Sequence, residues 1–543
     1  MRKPDIVFIL ADDLGYNELG FMNSTRGLIT PNLDKLAASG VVLKNYYVAP
    51  ICTPTRSSLM TGRYTTRLGT QSSVILWDTP WGIALNETFL PQNLKDAGYI
   101  TAMFGKWHLG MFAEAYTPAH RGFDEHMGYY GGCESRYTHV ASCCRAGSPS
   151  SDQNHTCKAT AWTGYDWFKT GPAPHSGNSE PDVSVNHTNS AYLIRDAAVE
   201  FIRRTAKQEK PFFLYLPFQN VHDPYTCDKK YRDMYSSQGR KFTEGEQTLF
   251  GYITEMDDAV GDVVAALKAS GRFENTVIIF SSDNGAPPAG GDVDHAEGYN
   301  PGWNARNYPF RGFKALIWEG GTRVPGFISS PLLPLEMQAT ESHNLFHVTD
   351  WLPTLVSLAK GETRRNLPLD GYNMWPSLIK GSASPRTEVL YNINPLCAGG
   401  QAGPPRAGLR VGDLKVLAWC YRVNGIAGAT QTGPVKAPFW VPGFVDPELK
   451  KGVVLYNLTE DPGERRNLAH DIAYSNHLTK LLARLEELAQ EMVQPMQWFP
   501  PYQGPSYECA HCPRHPASTG VDVPYMPWVS ASYEAKHELI SFV

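Results

Sequence analysis

The sequence lacks three features that would each place the chain in a specialised class of protein. No apolar run approaches the ~20 residues that a membrane-spanning helix needs, so we expect no membrane span. A formal net charge of −5 over 543 residues excludes a chain-wide basic surface, so we expect no nucleic-acid partner. Internal repeats and low-complexity segments are absent, and a composition of 42% hydrophobic and 19% charged residues excludes a mainly disordered chain.

A separate signal peptide is also missing. The apolar run in "PDIVFILADD" begins too near residue 1 to follow a secretory leader, so either the protein is intracellular or its leader is absent from this sequence. Ten cysteines favour the second interpretation, as do the Asn-x-Ser/Thr sequons at Asn23, Asn86, Asn154, Asn186 and Asn457. We therefore expect a glycoprotein of the secretory pathway, lysosomal or extracellular.

The length and the order of patterns predict two domains. Short apolar runs in 5–13, 211–224 and 275–285 are typical of buried parallel strands. Between them, 190–208 and 248–271 have apolar residues spaced by three and four, which predicts helices. This alternation predicts an α/β domain over residues 1–385, with a mostly parallel central sheet flanked by helices.

From residue 386 the pattern changes to short β-rich segments separated by glycine and proline, followed by an amphipathic helix near 472–493. That pattern predicts a small α+β domain with an antiparallel sheet over 386–543. The last fifty residues, rich in proline, tyrosine and tryptophan, we interpret as a wrapping tail.

Polar residues follow each of the predicted parallel strands. Asp12 and Asp13 end the first apolar run, His222 ends the second, and Asp283 and Asn284 end the third. Carboxylate and amide oxygens that converge at one end of a sheet suit a hard cation such as calcium or magnesium. Taken singly, the paired acids also suit a helix cap, and "DNG" also suits a turn.

Positive and protonatable groups occur in two further segments. "FGKWHLG" contains Lys106 and His108, which point to the same side of an extended chain, and "PFRGFKALIWEGG" contains Lys314. The alternative for the first pair is a solvated lysine beside a histidine at the edge of the core. Flanking glycines favour a ligand site, because they permit a close approach of the backbone.

"PICTPTRSSLMTGRY", residues 50–64, raises the question of what Cys52 does. A thiolate nucleophile needs a histidine base and an oxyanion hole, and it is a poor companion for a hard cation. The segment resembles the signature of the sulfatases, Cys-x-Pro-x-Arg followed by Thr-Gly-Arg, at Cys52, Pro54, Arg56 and 61–63. In that family the cysteine is oxidised to formylglycine, so the resemblance implies a formylglycine-generating enzyme as a partner during biosynthesis.

The resemblance extends over nearly the whole chain. "ILADDLGYNELG", "FGKWHLG", "QNVHDP", "SSDNG" and "RGFKALIWEGG" look like sulfatase blocks in the family's order. Segments 347–361, 369–395 and 455–469 look like the arylsulfatase B type, an N-acetylgalactosamine-4-sulfatase. The resemblance implies an alkaline-phosphatase-like fold, a sulfuric ester hydrolase that acts on sulfated saccharides or aryl sulfates, and a Cys397–Cys420 disulfide.

For the metal, the resemblance implies one calcium ion. Its ligands would be an oxygen of the hydrated formylglycine at position 52 and the side chains of Asp12, Asp13, Asp283 and Asn284. The cation would polarise the sulfate and favour an ionised hydroxyl of the hydrate as the nucleophile. The second hydroxyl would then expel sulfate, a step for which an ordinary serine or cysteine ester has no group.

For the chemistry, the resemblance implies that Arg56 holds the formylglycine. Lys106, Lys314 and the histidines would bind the sulfate oxygens. His222, with Lys314, is the candidate acid for the leaving oxygen, and His108 the candidate for assisting the second step, although the two roles could be exchanged.

Three departures from the family pattern concern the substrate. Thr55 stands where serine is usual, and the stretch between Asn284 and Lys314 and the segment 133–157 are elaborated. Loops over strand ends shape substrate entry, so these differences bear on which sugar is bound. Two alternatives remain: a formylglycine-dependent phosphodiesterase or phosphonate hydrolase of the same superfamily, and a non-catalytic protein that binds sulfated glycans.

Overall fold

The computed structural model describes most of the region from residue 2 to residue 496. The described residues are 2–22, 24, 27–77, 79, 81–143, 162–171, 179–236, 242–287, 307–364, 367–395, 405–418 and 452–496. Cys397, Cys420 and nearly all of the predicted tail lie outside these ranges. Within these ranges, no helix combines the length and the apolar character that crossing a membrane requires.

A ten-stranded sheet forms the centre of the large domain. Its strands are β1 (Asp5–Ala11), β2 (Gly40–Tyr47), β3 (Ile100–Phe104), β4 (Glu125–Gly128), β7 (Phe168–Thr170), β8 (Glu180–Pro181), β9 (Phe212–Pro217), β10 (Thr276–Ser282), β11 (Gly326–Ser329) and β12 (Thr340–His347). Their order in the sheet is β12-β2-β11-β10-β1-β9-β3-β4-β7-β8, and the run from β10 to β4 is parallel throughout. A separate pair consists of β5 (Val140–Cys143) and β6 (Trp162–Tyr165).

Helices cover both faces of this sheet. Alternate residues of β1 enter two different apolar clusters, Val7 and Ile9 on one face and Ile6 and Phe8 on the other, which explains its continuous apolar run. The helices are α1 (Pro31–Ala38), α2 (Cys52–Thr61), α3 (Thr65–Leu68), α4 (Leu90–Asp96), α5 (Ser190–Thr205), α6 (Lys229–Ser236), α7 (Glu244–Ala269), α8 (Glu319–Thr322), α9 (Trp351–Leu358) and α10 (Trp375–Lys380). The predicted strands correspond to β1, β9 and β10, and the predicted helices to α5 and α7.

A second, antiparallel sheet follows in the chain. Its order is β13-β14-β15-β16, with α11 packed on one face through Leu481 and Leu485. Its elements are β13 (Glu388–Ile393), β14 (Ala407–Val411), β15 (Leu414–Ala418), β16 (Val453–Asn457) and α11 (Ser475–Gln490). The expected fold class, a mostly parallel α/β sheet plus a small antiparallel sheet with a helix, is confirmed, whereas a domain boundary at residue 385 stays a prediction.

Candidate active site

Four neighbouring parallel strands end at the same edge of the large sheet, and each is followed by residues of the predicted site. In sheet order, β10 leads to Asp283 and Asn284, β1 to Asp12 and Asp13, β9 to His222, and β3 to Lys106 and His108. The carboxyl ends of parallel strands are where open α/β sheets bind ligands. The sequence predicts three of these strand ends, and the fourth follows β3, whose five residues give too short an apolar run to indicate a strand.

Cys52 reaches this edge from the first residue of α2 rather than from a strand. Its Sγ donates to Asp12 Oδ1 at 3.7 Å, and the side chain is buried. Burial raises the pKa of the Cys52 thiol well above its usual range, and the neighbouring acids Asp283 and Asp12 act in the same direction. The thiol is therefore protonated at neutral pH, which is the opposite of what a cysteine nucleophile requires.

Arg56 lies one helical turn after Cys52, on the same face of α2. Its Nε and Nη2 donate to Asp283 Oδ2 at 3.0 and 2.8 Å, and its Nη1 donates to the backbone carbonyl of Lys106 at 3.2 Å. All of these groups are buried. The Cys-x-x-x-Arg spacing thus places a fixed guanidinium between the cysteine and two strand ends.

Two lysines neutralise the two acids that follow β1. Lys106 Nζ donates to Asp12 Oδ2 at 2.6 Å, and Lys314 Nζ donates to Asp13 Oδ2 at 2.8 Å. Burial disfavours the charged form of Asp12, but Lys106 and the other cations nearby outweigh it and lower the pKa of Asp12. Lys106 with Asp12 and Lys314 with Asp13 therefore form two buried ion pairs at this edge.

The two candidate histidines have different hydrogen-bond partners. His222 donates from Nδ1 to the Asp223 carbonyl at 2.7 Å and accepts at Nε2 from Lys314 Nζ at 3.1 Å. His108 donates from Nε2 to the Ile75 carbonyl at 3.0 Å, which leaves Nδ1 with a lone pair and no hydrogen-bond partner among the described residues. Burial, reinforced by Lys106, lowers the pKa of His108 well below its usual range, so this imidazole is neutral.

The same edge offers a possible metal-binding group. One ligand atom from each of Asp12, Asp13, Cys52 and His222 lies within 4.8 Å of the others. Asn284 Nδ2 donates to Asp13 Oδ1 at 2.7 Å, while Asn284 Oδ1 is buried without a hydrogen-bond partner in the described part of the chain. Carboxylate and amide oxygens fit a hard cation, whereas the Cys52 thiol and the His222 imidazole nitrogen are poorly matched to one.

Asp166 is a supporting residue that the sequence did not reveal. Its carboxylate accepts from the backbone of Tyr130 at 2.8 Å and of Gly131 at 2.9 Å, and from Trp77 Nε1 at 3.1 Å. The backbone carbonyl of Tyr130 in turn accepts from the backbone N–H of His108 at 3.0 Å. Asp166 therefore fixes the turn that holds His108, but nothing in "TGYDWF" signals this role.

All the predicted site residues thus lie buried at one edge of the sheet: Asp12, Asp13, Cys52, Arg56, Lys106, His108, His222, Asp283, Asn284 and Lys314. His108 is joined to the Cys52 helix by its backbone carbonyl, which accepts from Thr53 Oγ1 at 3.0 Å. Their individual roles as ligands, acids and bases stay predictions.

Comparisons with known proteins agree on one family. The family model described as Sulfatase matches residues 4–361, more than half of the chain. Among curated relatives, mouse arylsulfatase J is 34% identical over 92% of this chain and 77% of its own length. Human arylsulfatase A is 28% identical, covering 94% and 96% of the two chains, and mouse N-acetylgalactosamine-6-sulfatase is 28% identical, covering 92% and 91%.

Solved structures show the same architecture. The crystal structure of Ps i-CgsB in complex with k-i-k-neocarrahexaose superposes with a TM-score of 0.70 at 26% identity, covering 92% of this chain and 95% of that one. The PsFucS1 sulfatase from Pseudoalteromonas sp. gives a TM-score of 0.66 at 25% identity, covering 91% and 92%.

Proposed function

The chain belongs to the sulfatase family and is a sulfuric ester hydrolase with the alkaline-phosphatase-like fold, and on that premise we propose that it desulfates saccharides through a formylglycine made from Cys52 and one calcium ion. The observation that carries the proposal is the convergence of Cys52, four oxygen-donor side chains and two lysines at one buried edge.

The state of Cys52 supports its conversion. As a thiol it is protonated, buried and hydrogen-bonded to a carboxylate, so it would neither attack sulfur nor suit a hard cation. An aldehyde hydrate at the same position supplies oxygen in place of sulfur. It also supplies two hydroxyls on one carbon, which is the chemistry needed to accept a sulfuryl group and then release it.

Oxygen ligands for calcium surround the same position. Asp12, Asp13, Asp283 and Asn284 would hold the ion together with residue 52, and the unpartnered Asn284 Oδ1 is the atom whose burial such a ligand role explains. When bound, calcium supplies positive charge that polarises the sulfate. His222 belongs to the possible metal group by distance, but its Nε2 already accepts from Lys314, so we assign it to proton transfer.

Arg56, Lys106 and Lys314 would manage negative charge during the reaction. Arg56 is held by Asp283 and lies one helical turn from residue 52, so we assign it to orienting the reacting oxygen. Lys106 is bonded to Asp12 and Lys314 to Asp13, and from these positions their ammonium groups can donate to sulfate oxygens.

The proton roles follow from the hydrogen bonds of the histidines. The Nδ1–H of His222 is fixed by the Asp223 carbonyl, so its Nε2 and Lys314 Nζ share one proton that can pass to the leaving sugar oxygen. The Nε2–H of His108 is fixed by the Ile75 carbonyl, so its free Nδ1 lone pair can accept a proton in the second half of the reaction. We therefore assign His222 as the acid and His108 as the base.

For the substrate, we propose sulfated N-acetylgalactosamine units, with the 4-sulfate as the first candidate. The resemblance of segments 347–361, 369–395 and 455–469 to the arylsulfatase B type favours position 4. A relative named for the 6-sulfate makes position 6 the comparison to test. Conversion of Cys52 would require a formylglycine-generating enzyme. We propose a location in the secretory pathway, lysosomal or extracellular, which the ten cysteines and the five sequons favour.

The proposal is tested with protein produced alongside a formylglycine-generating enzyme. We expect sulfate release from an aryl sulfate and from N-acetylgalactosamine 4-sulfate units, at a higher kcat/KM than from the 6-sulfate or from a phosphate diester. Faster turnover of the phosphate diester would reassign the enzyme, and faster turnover of the 6-sulfate would overturn the 4-sulfatase assignment only.

A further inference from the structure

Lys415 is a lysine buried inside the antiparallel sheet. Its Nζ lies 3.0 Å from Glu319 Oε1 and 2.8 Å from Glu464 Oε1, and none of the three side chains is exposed. In β15, Val416 packs towards α11, while Leu417 packs towards the large sheet. Lys415, two residues before Leu417, therefore points from the small sheet towards the large one, where an apolar side chain would normally lie.

Besides the ion pair with Lys415, Glu319 takes part in several hydrogen bonds. Tyr391 donates to its Oε1 at 2.6 Å and Tyr47 to its Oε2 at 2.7 Å, while its backbone N–H donates to Glu464 Oε2 at 2.7 Å. Burial disfavours the charged form of Glu319, but Lys415 and two nearby arginines outweigh it and lower its pKa. Glu319 is therefore an ionised carboxylate held from both sheets.

Glu319 is also the first residue of α8, at the end of the segment 309–321 that contains Lys314. Within that segment, the backbone N–H of Gly320 donates to the Arg311 carbonyl at 2.7 Å. The N–H of Lys314 donates to the Ala286 carbonyl at 3.0 Å, and the N–H of Ala315 donates to the Pro50 carbonyl at 2.6 Å. The segment thus contacts the chain just after Asn284 and just before Cys52.

The backbone of this segment is tightly packed around Gly320 and Gly321. A Cβ on Gly320 would lie 2.4 Å from the Gly312 carbonyl oxygen, and one on Gly321 would lie 2.0 Å from that of Leu316. Leu316 and Trp318 pack in one apolar cluster with Leu417 of the antiparallel sheet. A shift at Glu319 would therefore move Lys314.

We propose that Lys415 and Glu464 of the small sheet are positioning residues for Lys314, holding its ammonium group at the sulfate site through the Glu319 carboxylate and backbone. They do not touch substrate, and the proposal rests on the function proposed above. Its expected signature is a loss of affinity for the sulfate group itself, because Lys314 is the residue displaced.

The test compares Lys415→Met with Leu485→Ala, which weakens the same small sheet from its other face. Steady-state kinetics on an aryl sulfate and the inhibition constant for inorganic sulfate are measured on folded protein. For Lys415→Met we expect kcat/KM to fall about tenfold or more and the inhibition constant to rise at least about fivefold. Leu485→Ala, despite a comparable loss of thermal stability, should leave both within about twofold.

A rescue variant distinguishes an effect on the position of Lys314 from a general loss of protein stability. In Lys415→Met with Glu464→Gln, one uncompensated charge is removed while an amide oxygen can still accept from the Glu319 N–H, so we expect part of the lost sulfate affinity to return. If Lys415→Met does not fold, Glu464→Gln alone should still raise the inhibition constant about twofold or more.

Equal kinetics for Lys415→Met and Leu485→Ala would overturn the positioning role, as would an unchanged inhibition constant for Glu464→Gln. A wild-type protein that neither releases nor binds sulfate would overturn the proposed function instead.

Discussion

Two buried clusters of charge meet the segment 309–321, one around Lys314 and one around Glu319, and they differ in how their polar atoms are paired. The site cluster contains Asn284 Oδ1 and His108 Nδ1, which are buried without hydrogen-bond partners in the described ranges. In the network of Lys415, Glu319 and Glu464, every carboxylate oxygen lies within 3.0 Å of a donor, although Glu464 Oε1 meets Lys415 as an ion pair without hydrogen-bond alignment.

We attribute this difference to function: the site cluster is proposed to bind a ligand, whereas the network of Lys415, Glu319 and Glu464 connects the two sheets. Leaving a buried polar atom unpaired costs about 1–3 kcal/mol, and folded proteins do so where a ligand completes the pairing. A network whose carboxylate oxygens all face donors gains little from a ligand but is costly to break, about 3–5 kcal/mol when one partner of a buried ion pair is removed. Changes in the site cluster should therefore appear mainly in activity, and changes in the network also in stability.

The largest effect is expected for Cys52→Ala. Sulfate release should fall by at least about 10⁴-fold because the group that becomes the nucleophile is lost. Since the hydrogen bonds of Cys52 to the described residues amount to one weak contact with Asp12, the melting temperature should stay within about 3 °C of wild type. Kinetics and calorimetry on the same preparations check both parts, and residual activity above about one per cent would contradict the nucleophile assignment.

Removal of divalent cations should be nearly as damaging to turnover. After treatment with a chelator we expect sulfate release to fall at least about 10³-fold, because no other charge replaces the cation at the sulfate. Added calcium should restore the rate. A rate that survives chelation, with metal content confirmed as absent by elemental analysis, would show that the oxygen cluster serves another purpose.

Lys314→Met should lower kcat/KM by about 10²-fold, the usual effect of removing one donor that stabilises charge in the transition state. Both KM and kcat should change, since Lys314 would contact sulfate before and during the reaction. A loss of less than about fivefold would place Lys314 outside the site and would also remove the basis for a positioning role of Lys415.

Tyr391→Phe should have the smallest effect on activity, because other donors to Glu319 remain. One hydroxyl donor to Glu319 Oε1 is lost, but Lys415 still pairs with that oxygen at 3.0 Å. We expect a loss of about 1–2 kcal/mol in the free energy of unfolding, measured with urea, and less than a threefold change in kcat/KM. A larger change in activity without one in stability would reverse the distinction between the clusters.

The sequence predicts the site better than it predicts the network. Apolar runs that end in Asp12, His222 and Asp283 identify three strand ends, because a strand buried on both faces needs a continuous apolar run and its polar end is then conspicuous. The signature around Cys52 supplies the rest through family resemblance. β3 has no comparable signal because only five residues form it.

Contacts between distant segments have no comparable signal. Lys415 and Glu319 are 96 residues apart in the sequence, and neither stands in a pattern that distinguishes it from a solvated surface charge. The Arg56–Asp283 pair and the Asp166 turn are equally invisible, since they depend on how the sheet brings segments together. Local periodicity fixes elements, but long-range pairing of charges depends on tertiary packing.

The central claim is that Cys52 acts only after conversion to formylglycine, and one measurement tests it most directly. Peptide mass spectrometry of residues 45–56, on protein whose rate of sulfate release has been measured, gives the fraction of chains with an aldehyde at position 52. The account predicts that activity rises in proportion to that fraction and vanishes when it is zero. Full activity in protein that retains an unmodified thiol at Cys52 would contradict it.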